Sequence, residues 1–143
     1  MLTQRSRYAL RAMLYLAEAP AGGRPIPMNR IAEAANVPRK FLELILADLR
    51  EAGLLDSHRG KMGGYLLARA NHMISLGEVI RVIEGPLALV PCVSRTAYRR
   101  CADCQDEADC AIRQAMARVR DETARILDGT SLADAIAEDL AAA

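Results

Sequence analysis

A mainly α-helical fold with one small β-hairpin is what this sequence predicts, and three observations predict it. Apolar residues recur at helical spacing in several blocks, as in Leu42, Ile45, Leu46 and Leu49. One stretch breaks that period, between Leu54 and Leu67, and centres on Arg59-Gly60-Lys61-Met62-Gly63-Gly64, the composition of a turn joining two strands. A chain of 143 residues that is 52% hydrophobic can bury a single core without disulfides.

In chain order, a first helix is expected from about Thr3 to Glu18, with Tyr8, Met13 and Leu16 among its apolar positions and Pro20-Ala21-Gly22-Gly23 ending it. A short second helix fits Met28 to Ala35. Asn36-Val37 makes a tight turn, and Pro38 suits the first position of a third helix, where its missing N–H costs nothing. That helix runs to about Ala52 and stops at Gly53, with Arg39, Lys40, Glu43 and Arg50 mostly outside its apolar stripe. Leu54 to His58 and Tyr65 to Leu67 read as the two strands, and a further helix fits Leu76 to Ile83, closed by Gly85-Pro86. After an irregular cysteine-bearing stretch, a long helix from about Ala108 to Leu127 carries Ile112, Met116, Val119, Thr123 and Ile126 along one side. Asp128-Gly129-Thr130 stops it, Ser131 caps a last helix from Leu132 to Leu140, and the Ala141 to Ala143 tail is expected to fray.

Helix, turn, helix, hairpin is the order of a winged helix-turn-helix. Residues 1–72 therefore read as a winged helix-turn-helix DNA-binding domain, and residues 73–143 as a cysteine-bearing loop with a long C-terminal dimerisation helix. Charge divides the same way: 1–72 is net +5 and 73–143 net −4, within a total of +1. A basic half can approach a polyanion. The first turn of a recognition helix is the part that reaches base edges, which singles out Pro38, Arg39, Lys40, Phe41 and Glu43. Arg39 and Lys40 can donate to phosphates or guanine, and Glu43 can accept from cytosine N4. In the hairpin, Gly60, Gly63 and Gly64 let the backbone approach another surface, while Arg59 and Lys61 put positive charge at the tip, as a wing entering a minor groove needs. The plainer readings are a solvated helix face and a turn that happens to be basic. They lose weight because the hairpin directly follows the candidate recognition helix.

Other classes are poorly supported. No run approaches the roughly 18 to 20 apolar residues of a membrane span. One Phe, four Tyr and no Trp leave few rings for stacking single-stranded bases. His58 on the expected wing strand and His72 in a polar loop have no nucleophile beside them, and the glycines at 60–64 lead into a strand rather than a phosphate-binding helix, so no enzyme is expected.

The sharpest chemical feature is Cys92-x8-Cys101-x2-Cys104-x5-Cys110, four thiols in nineteen residues and none elsewhere. In a cytosolic protein such thiols stay reduced, which favours metal or redox chemistry over structural disulfides. Thiolates suit both zinc and iron-sulfur clusters, and this spacing is neither a paired zinc ribbon nor a ferredoxin run, so cluster, zinc and bare thiols all stay open. Among bare thiols, Cys101 and Cys104 are close enough in sequence to oxidise together.

These residues together resemble the winged-helix bacterial repressors typified by IscR and NsrR. The resemblance runs through LTQRSRYALRAMLYLA, IAEAANVPRKFLELILADLREAGLL, SHRGKMGGYLLAR, SLGEVIRVIEG and CAIRQAMARVRDETARILDGTSLAD, in that order over nearly the whole chain. It implies a cytoplasmic homodimer whose long C-terminal helices cross at the interface. It also implies a palindromic duplex operator, and an iron-sulfur cluster, 2Fe-2S rather than 4Fe-4S, whose response to iron, redox state or nitric oxide controls operator binding. By position Cys92, Cys104 and Cys110 correspond to the family's three cysteine ligands and Cys101 is extra. The familiar fourth ligands are absent: Arg113 stands where a histidine would, and Arg7 or Tyr8 where an acidic residue of the first helix would. Cys101, Asp103 or Glu107 can fill that place. The wing departs too, with Lys61-Met62 at its tip, and Glu43 matches a family position linked to discrimination between operators. The expected function is a dimeric DNA-binding transcriptional regulator controlled by that cluster. The alternative is a helical interaction module with structural zinc or redox-active thiols and no specific DNA target.

Overall fold

The computed structural model describes residues 2–20 and 22–142. Among them are six α-helices, two single-turn 3-10 helices and one two-stranded antiparallel hairpin. The mainly helical winged-helix expectation holds.

Helix α1, Gln4–Glu18, starts where the Thr3 side chain accepts from the Ser6 N–H at 3.2 Å and buries Ser6, Ala9, Ala12, Met13, Leu16 and Ala17. Ser6, Ala9, Ala12 and Ala17 keep much of that face small, and α2, α3 and α4 pack on it. Helix α2, Met28–Ala35, ends at Asn36, whose φ of 52° is left-handed, a conformation asparagine tolerates. Helix α3, Arg39–Glu51, follows and buries Leu42, Ile45, Leu46 and Leu49. Pro38 is the residue before this helix rather than its first turn. Its ψ of 132° is extended, and its carbonyl accepts from the N–H groups of Phe41 and Leu42 at 3.0 and 3.1 Å.

Strands β1, Leu55–His58, and β2, Gly64–Leu67, pair with Leu55 opposite Leu67 and His58 opposite Gly64, one residue from the expected limits at one end of each. The root of the hairpin is tied to the segment before α2 by reciprocal Ile26 and Tyr65 backbone bonds of 2.8 and 2.9 Å. Gly64 is required there, since a Cβ would lie 2.2 Å from the Ile26 carbonyl oxygen.

A 3-10 turn, Asn71–Met73, leads to α4, Leu76–Glu84, which opens on a full capping box between Ser75 and Glu78. A second 3-10 turn, Pro91–Val93, carries Cys92. Helix α5, Ala111–Gly129, starts three residues later than the sequence suggests. The Ala108 N–H is taken by Asp106 Oδ1 at 2.8 Å, and the Cys110 sulfur accepts from the Arg113 N–H at 3.4 Å, so the chain turns helical only after Cys110. Its other end overruns the expected stop by two residues, to Gly129, with the Thr130 hydroxyl on the Ile126 carbonyl at 2.7 Å. Helix α6, Leu132–Ala142, is capped by Ser131 and Asp134 reciprocally, at 2.9 and 3.0 Å. It continues through Ala141 and Ala142 where fraying was expected; Ala143, like Ala21 of the first loop, lies outside the described residues.

The two halves of the chain share one core. Leu132 of α6 is fully buried with Met13, Ile31, Leu46, Ile74 and Val79. The α5–α6 corner is bonded to the start of α4 through Leu76 N–H to Thr130 O and Leu132 N–H to Ile74 O, both 2.9 Å, and Arg81 holds Asp128 bidentately at 2.6 and 2.9 Å. Gly77 leaves room for that pair, since a Cβ would lie 2.1 Å from Asp128 Oδ1.

Candidate functional site

Burying Leu42, Ile45, Leu46 and Leu49 leaves the rest of the first turns of α3 outside. Pro38, Arg39, Lys40, Phe41, Glu43 and Leu44 are all exposed. Among the described ion pairs none engages Arg39, Lys40, Glu43, Arg59 or Lys61. Free exposed cations at a helix start are what a phosphate surface can use. The Phe41 ring rests 6.1 Å from the Tyr8 ring of α1, the Lys40 ammonium stands 5.0 Å from the Phe41 centroid, and the Arg11 guanidinium 5.1 Å from the Tyr8 centroid. Sequence reasoning missed this support from α1. Arg5 of α1 also pairs with Asp48 of α3, fixing the two helices against each other.

At the hairpin tip Arg59, Gly60, Lys61 and Met62 are exposed, and the turn closes through Gly63 N–H to Gly60 O at 3.0 Å. Gly60 has φ +102°, a conformation other residues resist. His58 at the end of β1 and His72 in the 3-10 turn are both exposed.

The four cysteines are free. Cys92 is buried at 6% exposure, and the others are half-buried. The Cys92 turn is fastened to α5 by Arg120, which donates to the Val93 carbonyl at 2.6 Å, and Asp121 receives both Arg120 and Arg95 at 2.9 Å. Those two bonds hold the Asp121 carboxyl below the ordinary aspartate range. Beyond Arg95 the chain doubles back, and the Arg99 N–H donates to the Pro91 carbonyl at 3.2 Å. The neighbouring Cys92 side chain, with burial and the Asp103 and Cys104 charges, raises the Cys101 pKa. Cys104 turns back on Cys101 through its N–H to the Cys101 carbonyl at 3.2 Å, while Cys110 caps α5. Glu107 is committed elsewhere: it accepts from Tyr98, raising that phenol's pKa, and lies 3.3 Å from Arg113 and 3.9 Å from Arg100. Asp103 is exposed.

Four free thiols are the right chemistry for an iron-sulfur cluster or zinc. Among the described residues, however, no three His, Cys, Asp or Glu side chains stand together as metal ligands.

Helix α5 buries none of its residues. Ile112, Val119 and Ile126 are 69, 40 and 55% exposed, and a shallow apolar groove runs past Ala115, Val119, Thr123 and Ile126. Among the described residues no helix is long and apolar enough to cross a membrane.

The Rrf2 family model, described as iron-dependent transcriptional regulator, matches residues 2–138. The chain belongs to the Rrf2 family. It is therefore a DNA-binding transcriptional regulator of winged-helix structure, in a family of regulators rather than enzymes, as the resemblance to the IscR and NsrR type implied. It is 43% identical over 139 residues to an Rrf2-like HTH-type transcriptional regulator of Rhodobacter capsulatus, covering 96% of this chain and 93% of that protein. It is similar to the solved structure of CymR, the global cysteine regulator of B. subtilis, at TM-score 0.77 and 33% identity, covering 96% of this chain and 97% of that one. The IscR of T. potens is also similar, at TM-score 0.75 and 29% identity over 97% of this chain and 88% of that one.

Proposed function

We propose that this Rrf2 regulator acts in the cytoplasm as a homodimer on a palindromic operator, with residues 1–72 reading DNA and residues 73–143 sensing and pairing. The observation that carries the reading is the unpaired, exposed cation set of Arg39, Lys40, Arg59 and Lys61 on a winged-helix frame. In this reading α3 enters the major groove. Pro38 fixes its approach, Phe41 braces it on α1, Arg39 and Lys40 grip phosphate or guanine, and Glu43 filters sequence. Arg59, Gly60 and Lys61 carry the wing into the adjacent minor groove. The uncovered α5 face supports pairing with a second copy, which sets two recognition helices at a fixed spacing. Selection from a random duplex library tests this: a two-fold symmetric sequence bound by the dimer is expected, and no enrichment over random duplex would refute it.

For the sensor we infer an iron-sulfur cluster on Cys92, Cys104 and Cys110, a 2Fe-2S rather than a 4Fe-4S type, with Cys101 available as a further ligand. Its support is the free-thiol donor set and its place between the DNA-binding half and α5. A bound cluster supplies a group sensitive to iron supply, redox state and nitric oxide. The chain supplies the coupling, because the Arg120 bond to the Val93 carbonyl makes movement of the Cys92 turn a pull on α5. Anaerobic reconstitution should give a coloured protein that Cys92→Ser, Cys104→Ser and Cys110→Ser each bleach. Colourless protein with stoichiometric zinc would assign the thiols to zinc instead.

A further inference from the structure

We infer that Leu44 is a specificity residue of α3 that reads the methyl group of an operator thymine. Leu44 lies two positions from each of Leu42 and Leu46, both fully buried. Two positions of an α-helix turn through about 200°, so Leu44 points directly away from the core. It is 64% exposed, against 46% for Phe41, which has the Tyr8 ring beside it. Leu44 is not among the apolar side chains packed on the core. On the same outward side stand Lys40, one turn earlier, and Glu43, both exposed and outside the described ion pairs. Asp48, one turn later, is taken by Arg5 of α1. Lys40 to Leu44 is therefore the outward stretch of the first turns, the part of a recognition helix that meets base edges.

This inference rests on the proposed entry of α3 into the major groove. Every base pair there presents hydrogen-bonding groups, and the one apolar group among them is the thymine C5-methyl. A leucine side chain has neither donor nor acceptor. Against guanine, cytosine or adenine edges it displaces water and leaves their polar groups unpaired, which costs free energy. Against a thymine methyl it takes apolar surface on both partners out of water. Leu44 thus selects by contact and by exclusion together, while Arg39 and Lys40 supply the attraction to the duplex. In a two-fold dimer the same thymine recurs once in each half-site, at equal distances from the centre.

The test uses the full chain and the duplex selected from the random library. Each thymine is replaced in turn by deoxyuridine, symmetrically in both half-sites, which removes the methyl and leaves base pairing intact. Affinities are measured by fluorescence anisotropy for the wild type, Leu44→Ala and Leu44→Met. At one symmetric pair of thymines, deoxyuridine should weaken wild-type binding by about fourfold per half-site, the worth of one buried carbon. Leu44→Met, which keeps an apolar tip, should retain that sensitivity. Leu44→Ala should lose it while unfolding in urea at the wild-type midpoint, since the side chain is mostly exposed. A wild type indifferent to every methyl, or a methyl effect undiminished in Leu44→Ala, would overturn the role of Leu44 and leave the recognition helix standing. Failure to select any operator would refute the proposed function, and the role of Leu44 with it.

Discussion

The Phe41 ring on the first turn of α3 packs at 6.1 Å and 35° on the Tyr8 ring of α1. This contact sets the pose of the helix start that carries Arg39 and Lys40, so one substitution separates stability from DNA contact. Phe41→Ala should cost about 0.5 to 1.5 kcal/mol in urea unfolding, the range for an aromatic pair, and should also weaken operator binding. Arg39→Ala should weaken binding with an unchanged unfolding midpoint. If Arg39→Ala lowers stability as much as Phe41→Ala does, the division of roles is wrong.

Wing and helix should differ in what they contribute. Arg59→Ala is expected to weaken binding by roughly 1 to 3 kcal/mol if it makes a base contact. Glu43→Ala should instead flatten the preference among operator variants, since it removes an acceptor and a repulsion from phosphate together. Fluorescence anisotropy on the selected operator and its single-base variants reads both effects. Superimposable curves for wild type and both variants would defeat the assignment.

Much of this was legible beforehand, and the exceptions have causes. The cap expected at Ser131 is formed, whereas Thr3, read as the first residue of α1, caps that helix instead, and Ser75 caps α4 without having been singled out. Pro38 was misplaced by one position because φ near −60° is shared by the cap and the first helical residue, and only ψ separates them. The start of α5 slipped because Asp106 satisfies the Ala108 N–H locally, a bond without periodic signature. Tyr8, half-buried on α1, meets Phe41, exposed on α3, and helix periodicity cannot pair positions of two separate helices.

Pairing through α5 predicts a mass effect. Val119 and Ile126 stand 40 and 55% exposed in the single chain, so replacing both by Glu should leave the fold intact while giving monomers in sedimentation. Those monomers should bind the operator weakly. A wild-type chain that sediments as a monomer at micromolar concentration would contradict the pairing.

Acid should loosen the α4–α5 junction. The hydrogen bonds from Arg81 hold the Asp128 carboxyl below the ordinary aspartate range, against the opposing effect of burial. A depressed folded value means the stabilisation is fully present above about pH 4, the unfolded range, and is lost as pH falls through the folded value. Both side chains are more than a third exposed, at 37 and 45%, so the pair is worth no more than about 1 kcal/mol. Asp128→Asn should therefore lower stability slightly at pH 7 and converge with wild type at low pH. A wild-type minus variant difference that stays constant from pH 7 to pH 2 would exclude the pair as its origin.

The central claim, that free cations of α3 and the wing grip duplex phosphates, is tested most directly by the salt dependence of operator affinity. The logarithm of the association constant should fall linearly with the logarithm of salt concentration, by about 0.9 per phosphate neutralised. Replacing a phosphate-contacting Arg39 or Lys61 by Ala should make that slope shallower by about one. A slope near zero, or one that neither substitution changes, would contradict the account.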